Sequence, residues 1–177
     1  MQSFRYSAPH RFLHAVMALL IPVLFGLGVW MVDLGFYDSW YHKAPDLHKA
    51  LGVLTFFLLL PRLVYALMHK KPQQASTWST RASQVTHVLM YLLLVVIFVS
   101  GYLIATAAGD AVSVFGWFDV PALPALIEQQ ADIAGDVHQY AAWSLIGLIG
   151  LHIAAALKHA WLNKDDVMQR MWGRAKQ

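Results

Sequence analysis

Residues 138–162 read HQYAAWSLIGLIGLHIAAALKHAWL, a run whose only formally charged side chain is Lys158. A helix rises 1.5 Å per residue, so about 20 such residues cross ~30 Å of hydrocarbon. This stretch is long enough to span a membrane. His138 and His152 stand fourteen residues apart in it. At about 100° per residue that interval falls roughly 40° short of four turns. Both imidazoles therefore project from one face, separated by about 21 Å along the axis, with one near each side of the bilayer.

Three more blocks of the same kind lie upstream, Phe12–Val32, His48–Met68 and His87–Ala107. The composition agrees, with 58% hydrophobic and 13% charged residues where soluble domains carry about a quarter charged. Helices apolar on every face belong in lipid. The expectation is a single all-α domain over 1–177, an integral membrane four-helix bundle. Its helices are predicted at about 8–32, 48–68, 84–107 and 137–162. Ser7 is a candidate cap of the first, with Pro9 in its first turn, and Pro22 and Pro61 are expected to kink their helices. The first block is too long for a signal-peptide core and offers no cleavage site after Gly26-Leu27-Gly28, so it reads as a retained span.

Basic residues set the topology. Arg5 and Arg11 precede the first block, Lys70, Lys71 and Arg81 separate the second from the third, and Lys164, Arg170, Arg174 and Lys176 follow the fourth. The remaining loops are acidic, the longer one having no Lys or Arg. Positive-inside placement then predicts N-in/C-in. The same placement assigns the pI near 9.2 to membrane topology, and no nucleic-acid partner is expected. Trp30, Trp40, Tyr41, Trp78, Tyr102, Trp143, Trp161 and Trp172 lie mostly near block ends, where such rings anchor at headgroups. The outer loop 108–136 is partly amphipathic and is expected to lie on the membrane surface as one or two short pieces covering a site. No internal repeat or low-complexity tract is visible.

Nine histidines are present, and His14, His48, His87, His138, His152 and His159 fall in or at the ends of apolar helices. Ionisable groups inside a membrane are costly and face the bundle interior. Without cysteine, Fe–S clusters, thiolate zinc and covalent haem attachment are excluded. Two b-type haems stacked across the bilayer need two histidines along one face of a helix, each iron completing its axial pair from another helix. By topology His48 meets His138 at an outer haem, and His14 meets His152 at an inner one. His87 and His159, both towards the inner side, either replace a chosen ligand or line a propionate or quinone site. His10, His42 and His69 lie in polar flanks and are expected to be solvated or headgroup-bound.

Arg62 follows His48 by fourteen residues and so shares its face, where it either pairs with an inner propionate or snorkels to headgroups. Lys49 and Lys158 face the same alternative. Gly52, Gly101 and Gly147 either admit a porphyrin close to a backbone or serve helix packing.

The arrangement resembles the bacterial cytochrome b561 family over nearly the whole chain. The resemblance rests on His14, His48-x-x-x-Gly52 with Arg62-Leu63, His87-x-x-x-Tyr91, Gly101-Tyr102, His138 and Leu151-His152. Two departures are Ala15, where the family usually has Trp, and Phe98, where it usually has Pro. The resemblance implies two haem b groups on His14, His48, His138 and His152, and electron exchange with membrane quinone such as ubiquinone in the bacterial inner membrane. It also brings two further roles: superoxide oxidation at the outer face, with a periplasmic donor or superoxide as partner, or service as a haem-bearing anchor for a soluble dehydrogenase or hydrogenase. Outer acids outnumber outer lysines eight to two. Superoxide would therefore need a local basic funnel, for which Lys43 and Lys49 are the candidates.

Overall fold

Four long helices make up most of the chain in the computed structural model, which describes residues 6–68, 78–163 and 171. They are α1 (Ala8–Met31), α2 (Lys43–Met68), α3 (Trp78–Ala105) and α4 (Gln130–Trp161). All four are long and apolar enough to cross a membrane. Leu19, Leu67, Leu92 and Leu151 are more than half exposed, and a surface of this kind is matched by lipid rather than water. The fold is an all-α membrane bundle. Arg5, His69, Lys70, Lys71, Lys164, Arg170, Trp172, Arg174 and Lys176, which carry part of the topology reading, lie outside the described residues.

Helices α2, α3 and α4 begin at residues 43, 78 and 130, ahead of the predicted 48, 84 and 137. Hydropathy detects only the part of a helix that sits in hydrocarbon. Polar turns such as Trp78–Gln84 continue the helix without an apolar signal. Asp46 and Asp132 stand in the first turns of α2 and α4, where a carboxylate complements the helix dipole. Ser7 occupies the N-cap of α1, but its hydroxyl makes no capping bond. Pro22 and Pro61 lie inside α1 and α2.

The helices pack as two pairs. Helix α1 lies mainly on α2, and α3 on α4, with slighter contact between α2 and α3. Met17, Leu59, Leu94 and Leu145, one from each helix, form a buried apolar layer joined by Met90, Ile97, Phe98 and Ile149. This waist closes the middle of the bundle and leaves a polar layer on either side of it.

The long connection runs from 106 to 129 and contains a β-hairpin, β1 (Val112–Val114) with β2 (Phe118–Val120). Its alternation has period two, with Val112 and Val114 buried and Ser113 exposed. Phe115 and Gly116 both adopt positive φ, and Trp117 N–H donates to the Val114 carbonyl at 2.9 Å. Turns of that hand match the twist of paired strands. The hairpin packs on α2, and Tyr102 ties down the segment behind it. Its hydroxyl donates to the Pro121 carbonyl at 2.7 Å and accepts from Leu123 N–H at 3.0 Å. Tyr102→Phe removes both bonds and is expected to cost about 1 kcal/mol locally. Limited proteolysis in detergent should then cleave residues 111–127 faster with the helices intact. Unchanged cleavage would mean that strand packing alone holds the loop.

Candidate functional site

At the hairpin end of the bundle, the His48 and His138 rings lie 6.2 Å apart between centroids and 71° apart in plane. His138 is seated on α3. Its Nδ1 lies 2.9 Å from the Ile97 carbonyl and 3.3 Å from the Ser100 hydroxyl. A carbonyl only accepts, so Nδ1 carries the proton and Nε2 keeps its lone pair for a metal. Gly101 makes the seat possible, because a Cβ there would stand 3.0 Å from His138 Cε1.

His48 lies against a glycine of α1. A Cβ on Gly28 would lie 3.2 Å from His48 Cε1. The ring sits beside the Leu24 carbonyl. Its Nδ1 is buried and makes no hydrogen bond of ordinary geometry among the described residues.

Two imidazoles bound on opposite sides of one metal at bonds of about 2 Å hold their ring centres on the order of 6 Å apart. The hairpin-end pair has that spacing. Among the described residues no three or more His, Cys, Asp or Glu are grouped to hold a bare ion. A facing pair suits an iron that brings its other ligands in a macrocycle. Gly52, one turn beyond His48, faces open space, with nothing beyond its chain neighbours and the backbone of its own helix within 4 Å of a Cβ built there, and Gly147 is equally open.

The terminal end gathers one polar residue from each helix. His14 of α1 lies within electrostatic range of Arg62, His152, His10 and His87, and His152 is also near Arg62. The His87 and His152 rings meet edge-to-face at 5.1 Å, closer than two ligands on opposite sides of one iron would stand. His87 Nδ1 lies 2.6 Å from the Ser83 carbonyl. Arg62 Nε donates to the Tyr91 hydroxyl at 3.2 Å, with the guanidinium 5.9 Å from that ring's centre. Its Nη1 is buried and has no hydrogen-bond partner among the described residues. His159 stands in the last turn of α4, 3.2 Å from the Asn163 amide. Lys158 is exposed in the same turn.

Sequence reasoning expected His10 to be solvated or headgroup-bound; it stacks on Tyr6 at 4.9 Å and meets Tyr65 edge-on at 6.3 Å, contacts the sequence did not signal. It also missed the seats built by Gly28, Ile97 and Ser100. The interval of fourteen residues from His14 to Gly28, repeated from His87 to Gly101, was the available signal.

Residues 5–174 match the family model described as prokaryotic cytochrome b561. The chain belongs to the prokaryotic cytochrome b561 family. It is 44% identical over 174 residues to cytochrome b561 homolog 2 of Escherichia coli (strain K12), covering 97% of this chain and 93% of the relative. Cytochrome b561 homolog 1 of the same strain is 24% identical over 180 residues, covering 97% and 99%. A cytochrome b561 is a haem b electron carrier, and four apolar spans make this one a multi-pass bacterial membrane protein in contact with lipid. The two histidine layers of this cytochrome b561 lie on opposite sides of its apolar waist.

Proposed function

We propose that this cytochrome holds two haem b groups and carries electrons across the bacterial inner membrane, exchanging them with quinone, ubiquinone being the expected form. His48 and His138 hold the hairpin-end haem, and His14 and His152 the terminal-end haem. The His48 and His138 rings carry the reading, since they lie at the spacing of two axial ligands and His138 is seated with Nε2 left for iron. Haem supplies reversible one-electron chemistry at each layer. The protein's own part is to fix ring orientation through Ile97, Gly101 and Gly28, and to keep water out of the waist. At the terminal end, Arg62 offers its unpartnered Nη1 to a propionate. With the termini in the cytoplasm, that layer is the inner one. A haem-to-protein ratio measured alongside reductive titration tests the proposal. Two haems with separable potentials support it, and one haem per chain refutes it.

Quinone reduction couples electrons to protons, and His87 and His159 lie on the terminal side beyond what two haems need. His87 keeps a lone pair on Nε2, because its Nδ1 faces a carbonyl, and neutral imidazole passes protons near pH 7. His87→Leu and His159→Leu are each expected to slow quinone-linked turnover several-fold without changing haem content. Haem loss in His159→Leu would make His159 a ligand and give His152 the secondary role. Full turnover in both single variants and in the double would move the quinone site elsewhere, with the hairpin end next to be searched.

Superoxide oxidation at the hairpin end is the second reading, and one feature favours it. Lys43 and Lys49 line a pocket of about 460 Å³ with Leu47, Ala111, Ser113 and Phe115, beside His48 in sequence. Lys49 is paired with Asp46 at 2.8 Å, and Lys43 lies 6.0 Å from the Trp40 ring centre. Asp46 lines the same pocket, so Lys43 is the cation left to draw superoxide to this acidic face. Replacing both lysines with glutamine should abolish superoxide-driven haem reduction. Absence of such reduction in the intact protein would end this reading.

A further inference from the structure

The two helix pairs carry their polar residues at matching stations. On α2 and α4, the paired rings at the hairpin end are His48 and His138, and fourteen residues further on stand Arg62 and His152. On α1 and α3, Gly28 and Gly101 receive those rings, each four residues after the carbonyl the ring lies against, Leu24 and Ile97. Fourteen residues before the two glycines stand His14 and His87. The waist keeps the same register. Met17 corresponds to Met90, Ile21 to Leu94 and Leu59 to Ile149, and all six belong to that one apolar cluster. A repeat of stations, with few residue identities retained, is invisible to a direct reading of the sequence.

The two layers then differ in a definite way. At the hairpin end both ligand stations are histidine and both receiving notches are glycine. At the terminal end the α4 station is His152, the α2 station is Arg62, and both notches carry histidine. The geometry points to Arg62 as the occupant of an axial-ligand station of the terminal-end haem, a station at which histidine can ligate that haem in place of His14. This inference rests on the di-haem reading above. Arg62 is near both His14 and His152, as an occupant of that station must be. Its side chain continues to the Tyr91 hydroxyl on the other helix pair, which fixes a positive charge in this layer. A bis-imidazole iron loses one unit of positive charge on reduction, so a fixed cation beside it favours the reduced form.

Four variants test the inference by haem content and the low-spin reduced spectrum, neither of which depends on turnover. H14A is expected to keep only the hairpin-end haem, halving haem per chain. H14A/R62H should return to the wild-type ratio with a low-spin band, while H14A/R62Q should not. R62Q alone should shift the terminal-end midpoint potential downward with the other unmoved. An H14A/R62H chain that keeps the hairpin-end haem but gains no second one overturns the inference, and so does an unmoved potential in R62Q. If H14A/R62H fails to insert, the R62Q potential decides. Two haems in H14A would overturn the ligand assignment itself, and this inference with it.

Discussion

Replacing His138 with alanine is expected to remove one haem and leave the other, and replacing His48 should give the same spectrum. The two rings face each other at 6.2 Å from different helix pairs, so losing either leaves an iron with one protein ligand. The other layer should survive, because Met17, Leu59, Leu94 and Leu145 close the bundle between the two without help from either imidazole. The haem-to-protein ratio should halve, and the reduced band that remains should be the same in both variants. His14→Ala and His152→Ala should leave the complementary band. Binding of both haems after loss of His138 would show that the pairing is wrong.

The fold was legible in the sequence where one physical signal dominates. Four apolar runs of membrane length specify four spans, and helical periodicity alone aligns His138 with His152 on a single face. The meeting of His48 with His138 follows from depth, since both open apolar blocks that follow loops on the same side. Helix starts were not legible, because Trp78–Gln84 and Gln130–Val137 are helical yet polar. The hairpin at Val112–Val120 was missed for another reason. Its turn depends on Phe115 adopting a left-handed backbone, which is uncommon outside Gly, Asn and Asp and gives no turn motif to read. Gly101 was read either as a porphyrin contact or as a helix-packing position, and it lies against an imidazole of the neighbouring helix. A glycine's spacing says that something approaches, whereas only interhelical packing says what.

That distinction makes the glycines separable by experiment. Gly101→Val is expected to lose the hairpin-end haem as completely as His138→Ala. A Cβ would stand 3.0 Å from Cε1 and 3.2 Å from Nδ1 of His138. The ring cannot retreat without giving up the Ile97 carbonyl at 2.9 Å, a contact whose loss leaves a buried donor unpaired at about 1–3 kcal/mol. Gly28→Ala meets His48 at 3.2 Å, which a displacement of a few tenths of an ångström relieves. It should retain haem with a shifted spectrum. Gly52→Val is a different case, because beyond its chain neighbours and the backbone of its own helix nothing lies within 4 Å of a Cβ built there. The haem-free chain should be as stable as wild type, so any fall in haem content would report a porphyrin in that open space. Gly26→Ala, on an exposed and equally open position, is the control and should change nothing. Two haems with an unaltered spectrum in Gly101→Val would show that His138 is not held against α3 in the loaded protein. The ligand geometry drawn from Ile97, Ser100 and Gly101 would then have to be abandoned.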